Sequence, residues 1–314
     1  MEVTNAKNPF VEDQRQWLIS HRDETGMSWA DLAKATGIAQ GTISQFGSPK
    51  GYNGKELPIA EKVERYRQSL AQQANLDAEV PDVPAFFSTD TTDQLERMLG
   101  FAQRGHMVAA ALEAGCSKTT AAKHYAELFP NVIYVEVRKS ASAPNNLLKL
   151  ILAALGVRGA SGGTFDMSQQ VCAQLKKMTK PLLVIDEAQH LTEASLEEIR
   201  SWNDDIDVGI ALFGNIGVLQ KLSRYAQLYS RLSLKLQRRC PLPSDVEAMA
   251  DAWRIANPAI RGELQKICAK LGGLRNGTKA LQLAQMIAGA EGQGLNVGHV
   301  QSAWQELDVR MVAA

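Results

Sequence analysis

The stretch HMVAAALEAGCSKTTAAKHYAELF (106–129) decides the fold. An apolar run leads into the loop EAGCSKTT, and a helical pattern, AAKHYAELF, follows directly. Strand, loop and helix in that order is the setting a phosphate-binding loop requires, because backbone N–H groups and the positive end of the helix converge on phosphate oxygens. Lys118 offers a point charge to the β- and γ-phosphates, Thr119 a hydroxyl to Mg²⁺, and Gly115 room for close backbone approach. The residues expected around a nucleotide are Glu113, Ala114, Gly115, Cys116, Ser117, Lys118, Thr119 and Thr120. The pattern G-x-x-x-x-G-K-[ST] is met imperfectly, since Leu112 and Ser117 stand where it has glycine. On this loop alone, a lysine opening a surface helix is an equal reading.

Working outward, four more short apolar runs alternate with helical patterns: NVIYVEV (131–137), PLLVIDE (181–187), VGIALFG (208–214) and LSLKLQ (232–237). Short apolar strands between helices imply an α/β fold with a parallel sheet covered on both faces. PLLVIDEAQHL puts Asp186 and Glu187 at the end of a strand, at the edge of an open sheet where ligands bind. Asp186 is the candidate for holding Mg²⁺, mostly through water, and Glu187 for orienting the attacking water. Acids also favour helix N-termini, which accounts for one acid but not for a pair behind an apolar strand. VGIALFGN ends in Asn215, placed to bond the γ-phosphate or the water; a simple turn asparagine is the alternative. In KLSRYAQLYSRLSLKLQRR (221–239), Arg231 lies just before the last strand and is the first candidate for an arginine acting on a neighbouring subunit's nucleotide, with Arg224 second. Arg275, in LGGLRNGTKALQLA (271–284), opens a C-terminal helix and is expected to reach back to the nucleotide.

The rest of the chain frames this core. Its 314 residues suit two or three domains. The expected boundaries are a helical domain at 1–78, a proline-bearing linker at 79–90, the nucleotide-binding core at 91–240 and a helical lid domain at 241–314. The 34 basic and 34 acidic residues balance, so a DNA surface must come from local clustering. No apolar run is long enough for a membrane span, the start lacks a secretory apolar segment, and four scattered cysteines fit reduced thiols. A cytoplasmic protein is expected.

Near the N-terminus, MSWADLAKATGIAQGTISQF (27–46) fits a helix-turn-helix, with Trp29, Leu32, Ala33, Ile38 and Ile43 inward and Gly37 in the turn. Gln40, Thr42, Ser44 and Gln45 then face outward toward a major groove. The segment SPKGYNGK adds Lys50, Tyr52, Asn53 and Lys55 for phosphates. A helical interaction module without DNA contact is the alternative. Arg138, Lys139 and Arg158 sit in loops of the core, either along a DNA groove or simply solvated.

Taken in order, Lys118-Thr119, Asp186-Glu187, Gly214-Asn215, Arg231 and Gly273-Leu274-Arg275 resemble the Walker A, Walker B, sensor 1, arginine finger and sensor 2 elements of AAA+ ATPases. With GTISQF, VIDEAQHL and GGLRNGTKALQLA added, nearly the whole chain is similar to the Mu B-type transposition proteins of Mu-like phages. That resemblance implies ATP and Mg²⁺ as cofactors, and an ATPase that assembles with itself as a filament on double-stranded DNA. It also implies target capture for a transposase, sparing of DNA the transposase already occupies, and disassembly on hydrolysis. A helicase loader or replication initiator of the same fold, and a helix-turn-helix repressor with an inert loop, are the competing readings.

Overall fold

The computed structural model describes residues 8–48, 52–79 and 83–309. Lys50 falls outside them. The chain forms two compact units, Met1–Pro81 and Asp82–Ala314. Among the described residues, no helix is long and apolar enough to cross a membrane.

The first unit is helical: α1 (Pro9–Thr25), α2 (Trp29–Thr36), α3 (Gln40–Phe46) and α4 (Leu57–Glu79). Local chemistry marks the ends. Asn8 caps α1 and Gly26 closes it in the left-handed region, while Ser28 and Asp31 form a reciprocal capping box on α2. Gly37, at φ 65°, turns the chain between α2 and α3, where an L side chain would be strained. Leu18, Leu32, Ile43 and Phe46 are fully buried at the centre, with Trp29 and Ala33 packed at its margin. Arg15 is buried as well, paired with Glu12 at 3.0 Å and with Glu56, its guanidinium over the Phe46 ring.

The second unit opens with α5 (Asp90–Ala102) and is built on one parallel sheet. Its strands are β1 (Met107–Leu112), β2 (Val132–Glu136), β3 (Leu182–Asp186), β4 (Gly209–Gly214) and β5 (Leu232–Arg238), in the order β2-β3-β4-β1-β5. All five expected strands form. Every residue of β1, β3 and β4 is buried, because helices cover both faces. Alternate residues of β1 feed opposite cores: Ala109 and Ala111 join one, Val108, Ala110 and Leu112 the other. The covering helices include α6 (Lys118–Leu128), α7 (Pro144–Ala154), α8 (Thr164–Leu175), α9 (Glu193–Ile206), α10 (Gly217–Leu222) and α11 (Ala226–Arg231). Four helices follow β5: α12 (Pro243–Ala252), α13 (Pro258–Cys268), α14 (Gly273–Ala290) and α15 (Val297–Val309). They close on their own core, which includes Met249, Leu264, Leu281 and Val300.

Two expectations about loops need correction. The segment from 79 to 90 is not only a spacer. Helix α4 runs to Glu79, and beyond the prolines Phe86 stacks on His124 while Phe87 packs on the core of the C-terminal helices. The glycine-rich stretch VRGASGGTFD (157–166) reads as one loop from its composition, but Thr164 already opens α8 and Asp166 accepts the Gly163 N–H at 3.3 Å.

Candidate active site

Sheet register brings the site together. Ala111 of β1 lies opposite Gly214 of β4, and Ile185 of β3 opposite Leu212 of β4. The loop after β1, the acids after β3 and Asn215 after β4 therefore emerge side by side at the carboxyl edge of the sheet, where parallel α/β folds bind ligands. A cleft of about 480 Å³ opens there. Glu113, Ala114, Gly115, Ser117, Lys118, Thr119 and Thr120 line it, together with Glu187, Asn215 and Arg275.

Asp186 sits beneath the cleft, fully buried. The Thr119 hydroxyl donates to its Oδ2 at 2.6 Å, the Tyr134 hydroxyl to the same atom at 3.2 Å, and the Glu187 N–H to Oδ1 at 2.8 Å. Lys118 Nζ stands 4.0 Å from Asp186 Oδ1 and 3.7 Å from Glu187 Oε1. A buried carboxylate demands such donors, since an unpaired charge away from water is costly. Burial, with the Asp186 carboxylate beside it, pushes the Tyr134 phenol well above its usual range, so it stays protonated and donates. The first turn of α6 leaves N–H groups without intrahelical partners at the cleft wall, the natural seat of a phosphate.

Ser117 lies at φ 55°, the left-handed region, which explains why phosphate-binding loops favour glycine there. Leu112, the other departure, ends β1 and is fully buried in the core, where a glycine would leave a hole. Glu187 is also left-handed, at φ 58°, a non-glycine strain of the kind that clusters at functional sites.

Lys118, Thr119, Asp186, Glu187, Asn215 and Arg275 come to one place. Cys116 stands in the same loop with its side chain turned into the core, and burial pushes its thiol up to about 11. Asn215 also acts as a turn residue, its Oδ1 accepting the Gly217 N–H at 3.0 Å. Arg231 lies outside its own chain's cleft and pairs with Asp204 at 3.1 Å. Arg138, Lys139 and Arg158 are exposed, as are Gln40 and Gln45, while Thr42 and Ser44 are half-exposed and Ser44 Oγ donates to Gly41 O at 3.1 Å. Tyr52 is half-buried, its ring packed against the core of the first unit and over Gly54.

Sequence reasoning missed several lining groups: Gln189, Thr278 and the segment Val83–Phe87. It also missed a backbone bridge from loop to lid. Leu274 N–H donates to Gly115 O at 3.0 Å, and a Cβ on Gly115 would lie 1.8 Å from Gly272 O, so only glycine allows this approach.

The fold and the site define an ATP-binding protein of the AAA class. Residues 103–222 match the family model described as AAA domain. Two solved structures share the fold, each covering 68% of this chain. They are the Aeropyrum pernix ORC2 protein (TM-score 0.53, 19% identity, 66% of that chain) and Cdc6p from Pyrobaculum aerophilum (TM-score 0.55, 15% identity, 65% of that chain). Within the class, the chain is similar along nearly its full length to the Mu B-type transposition proteins. Residues 230–307 match the model for the Mu B transposition protein, C terminal. The ATP-dependent target DNA activator B of Escherichia phage Mu is 29% identical over 95% of this chain and 96% of its own length. The Mu-like prophage FluMu DNA transposition protein B of Haemophilus influenzae is 29% identical over 82% of this chain and 91% of its own.

Proposed function

We propose that this protein is an ATPase that assembles on double-stranded target DNA and presents it to a transposase. ATP completes the assembly and hydrolysis dismantles it. The observation that carries this reading is the convergence of Lys118, Thr119, Asp186, Glu187, Asn215 and Arg275 on one cleft, in a chain similar to target DNA activators along nearly its full length.

The triphosphate lies over the first turn of α6, its β- and γ-phosphates toward Lys118, with Arg275 approaching from the lid. The donor set fits Mg²⁺. The Thr119 hydroxyl and the Asp186 carboxylate are hard oxygen ligands 2.6 Å apart, suited to an ion that keeps several waters and is shared with phosphate. Thr119 and Asp186 would hold it, and when bound it offsets charge on the phosphate oxygens. Glu187 orients a water whose oxygen bonds to the γ-phosphorus. The bond from that phosphorus to the bridging oxygen breaks, its electron pair leaves on ADP, and the water's proton passes to the Glu187 side. Asn215 holds the water or the γ-phosphate. Arg231 of a neighbouring copy stabilises charge as the bond breaks, first exchanging Asp204 for the phosphate.

Loss of the γ-phosphate loosens that subunit contact and releases DNA. Gln40, Thr42, Ser44 and Gln45 on α3 read base edges, and Arg138, Lys139 and Arg158 track phosphates. Sparing of DNA that the transposase already occupies follows when the transposase triggers hydrolysis there. Electron microscopy with duplex DNA tests the reading. Filaments with ATP, and none with ADP or without nucleotide, are expected; the same isolated particles in every condition would overturn it.

A further inference from the structure

Gln189 lies between the two halves of the hydrolytic apparatus. It follows Glu187 in a short 3-10 turn, Ala188–His190. Its side chain spans two partners: Nε2 donates to Glu187 Oε2, and Oε1 accepts the backbone N–H of Asn215 at 3.2 Å. The turn itself is pinned from α10, where Lys221 Nζ donates to Gln189 O at 2.7 Å and also to Leu191 O. The end of β4 is shaped to the amide, since a Cβ on Gly214 would lie 2.5 Å from Gln189 Oε1.

We propose that Gln189 is the positioning residue for Glu187, tying its carboxylate to the tip of β4 so that Glu187 and Asn215 act on the same water. The inference rests on the reading that Glu187 orients that water. With Gln189 at one oxygen and Lys118 3.7 Å from the other, the carboxylate is held from both sides. Only a side chain that donates and accepts at once does this. Glutamate in the same place has no donor, and asparagine is one methylene shorter. Gln189 acts through Glu187 by setting the geometry of its carboxylate, and small misplacements of such groups cost rate steeply.

The test compares full-length wild type, Gln189→Ala and the isosteric Gln189→Glu, measuring ATP turnover with Mg²⁺ and DNA and, separately, the affinity for a fluorescent ATP analogue. In both variants turnover is expected to fall at least about tenfold while nucleotide affinity stays within about twofold, because a positioning role acts on the hydrolytic step and not on binding. Gln189→Glu keeps the volume, so its thermal unfolding should match wild type; loss of turnover in that variant then reports the missing donor and not a collapsed turn. Wild-type turnover in either variant, or affinity falling in step with turnover, overturns the inference. A wild type that hydrolyses no ATP would bring down the parent reading instead, so the two failures are distinguishable.

Discussion

The cleft and the N-terminal helical unit use their polar residues in opposite ways. At the cleft, the charged centre is buried and bonded across long stretches of chain, with Asn215 and Arg275 exposed at its rim: Thr119 and Tyr134 both donate to Asp186, and Lys118 is only 9% exposed between two acids. In the N-terminal unit, the buried and paired Arg15 serves the core, while the candidate readers Gln40 and Gln45 lie open to solvent. A site that must place charge before its ligand arrives is built in advance. A surface that reads a groove takes its geometry from the partner, and its contacts contribute in small independent steps. One region should therefore fail abruptly and the other gradually.

The sharpest test of that contrast is Lys118→Ala. It removes the cation held within 4.0 Å of both acids and the expected partner of the phosphates. Truncating one member of a desolvated charge pair costs roughly 2–5 kcal/mol. ATP affinity should drop at least about 100-fold, the equivalent of about 2.7 kcal/mol. Calorimetry measures it directly, and ATP-dependent assembly on DNA should vanish with it. Retained tight binding would mean that the preorganised cleft is not the nucleotide site.

How far these regions could be read from sequence differs for the same physical reason. Strands β1, β3 and β4 were legible because a strand buried on both faces has to be apolar throughout, and each of those runs leads into a residue that lines the cleft, whereas β2 and β5, at the sheet edges, are partly exposed and do not. Arg275 was legible from the two glycines before it. The contribution of Val83–Phe87 was hidden, because proline reports backbone restriction and says nothing about what neighbouring aromatics touch. Tyr134 looked like any strand aromatic, and its hydroxyl bond to Asp186 depends on pairing between β2 and β3. For Cys116 the loop pattern gave a position and not a direction: the thiol turns inward while its neighbours on both sides line the cleft.

The gradual side of the contrast is tested by Gln45→Ala and Gln40→Ala. Both residues are exposed on α3, so neither change should disturb the fold. If they read bases, each substitution should weaken DNA binding by roughly 1–3 kcal/mol on the preferred sequence and less elsewhere. The dependence on salt should stay the same, since no phosphate contact is lost. Titrations on two duplexes at several salt concentrations separate the cases. Equal losses on every sequence would assign these glutamines to shape or backbone contact, and no loss would assign α3 to another partner.

The smallest expected effect sharpens the comparison from inside the cleft. Ser117 holds a left-handed backbone at φ 55°, where an L side chain costs roughly 1–2 kcal/mol relative to glycine. Ser117→Gly removes that strain but loosens the unfolded chain, which takes back about 0.5–1 kcal/mol. The net gain should thus be under about 1 kcal/mol, read as a small rise in thermal midpoint without nucleotide. The N–H groups at the start of α6 survive the change, so ATP affinity should hold or improve slightly. Leu112→Gly is the opposing control. It meets the same loop pattern yet empties a fully buried position, so it should cost about 2–5 kcal/mol. If Ser117→Gly instead destabilised the protein as Leu112→Gly does, the serine would be a packing residue and the loop's geometry would owe nothing to the preference for glycine.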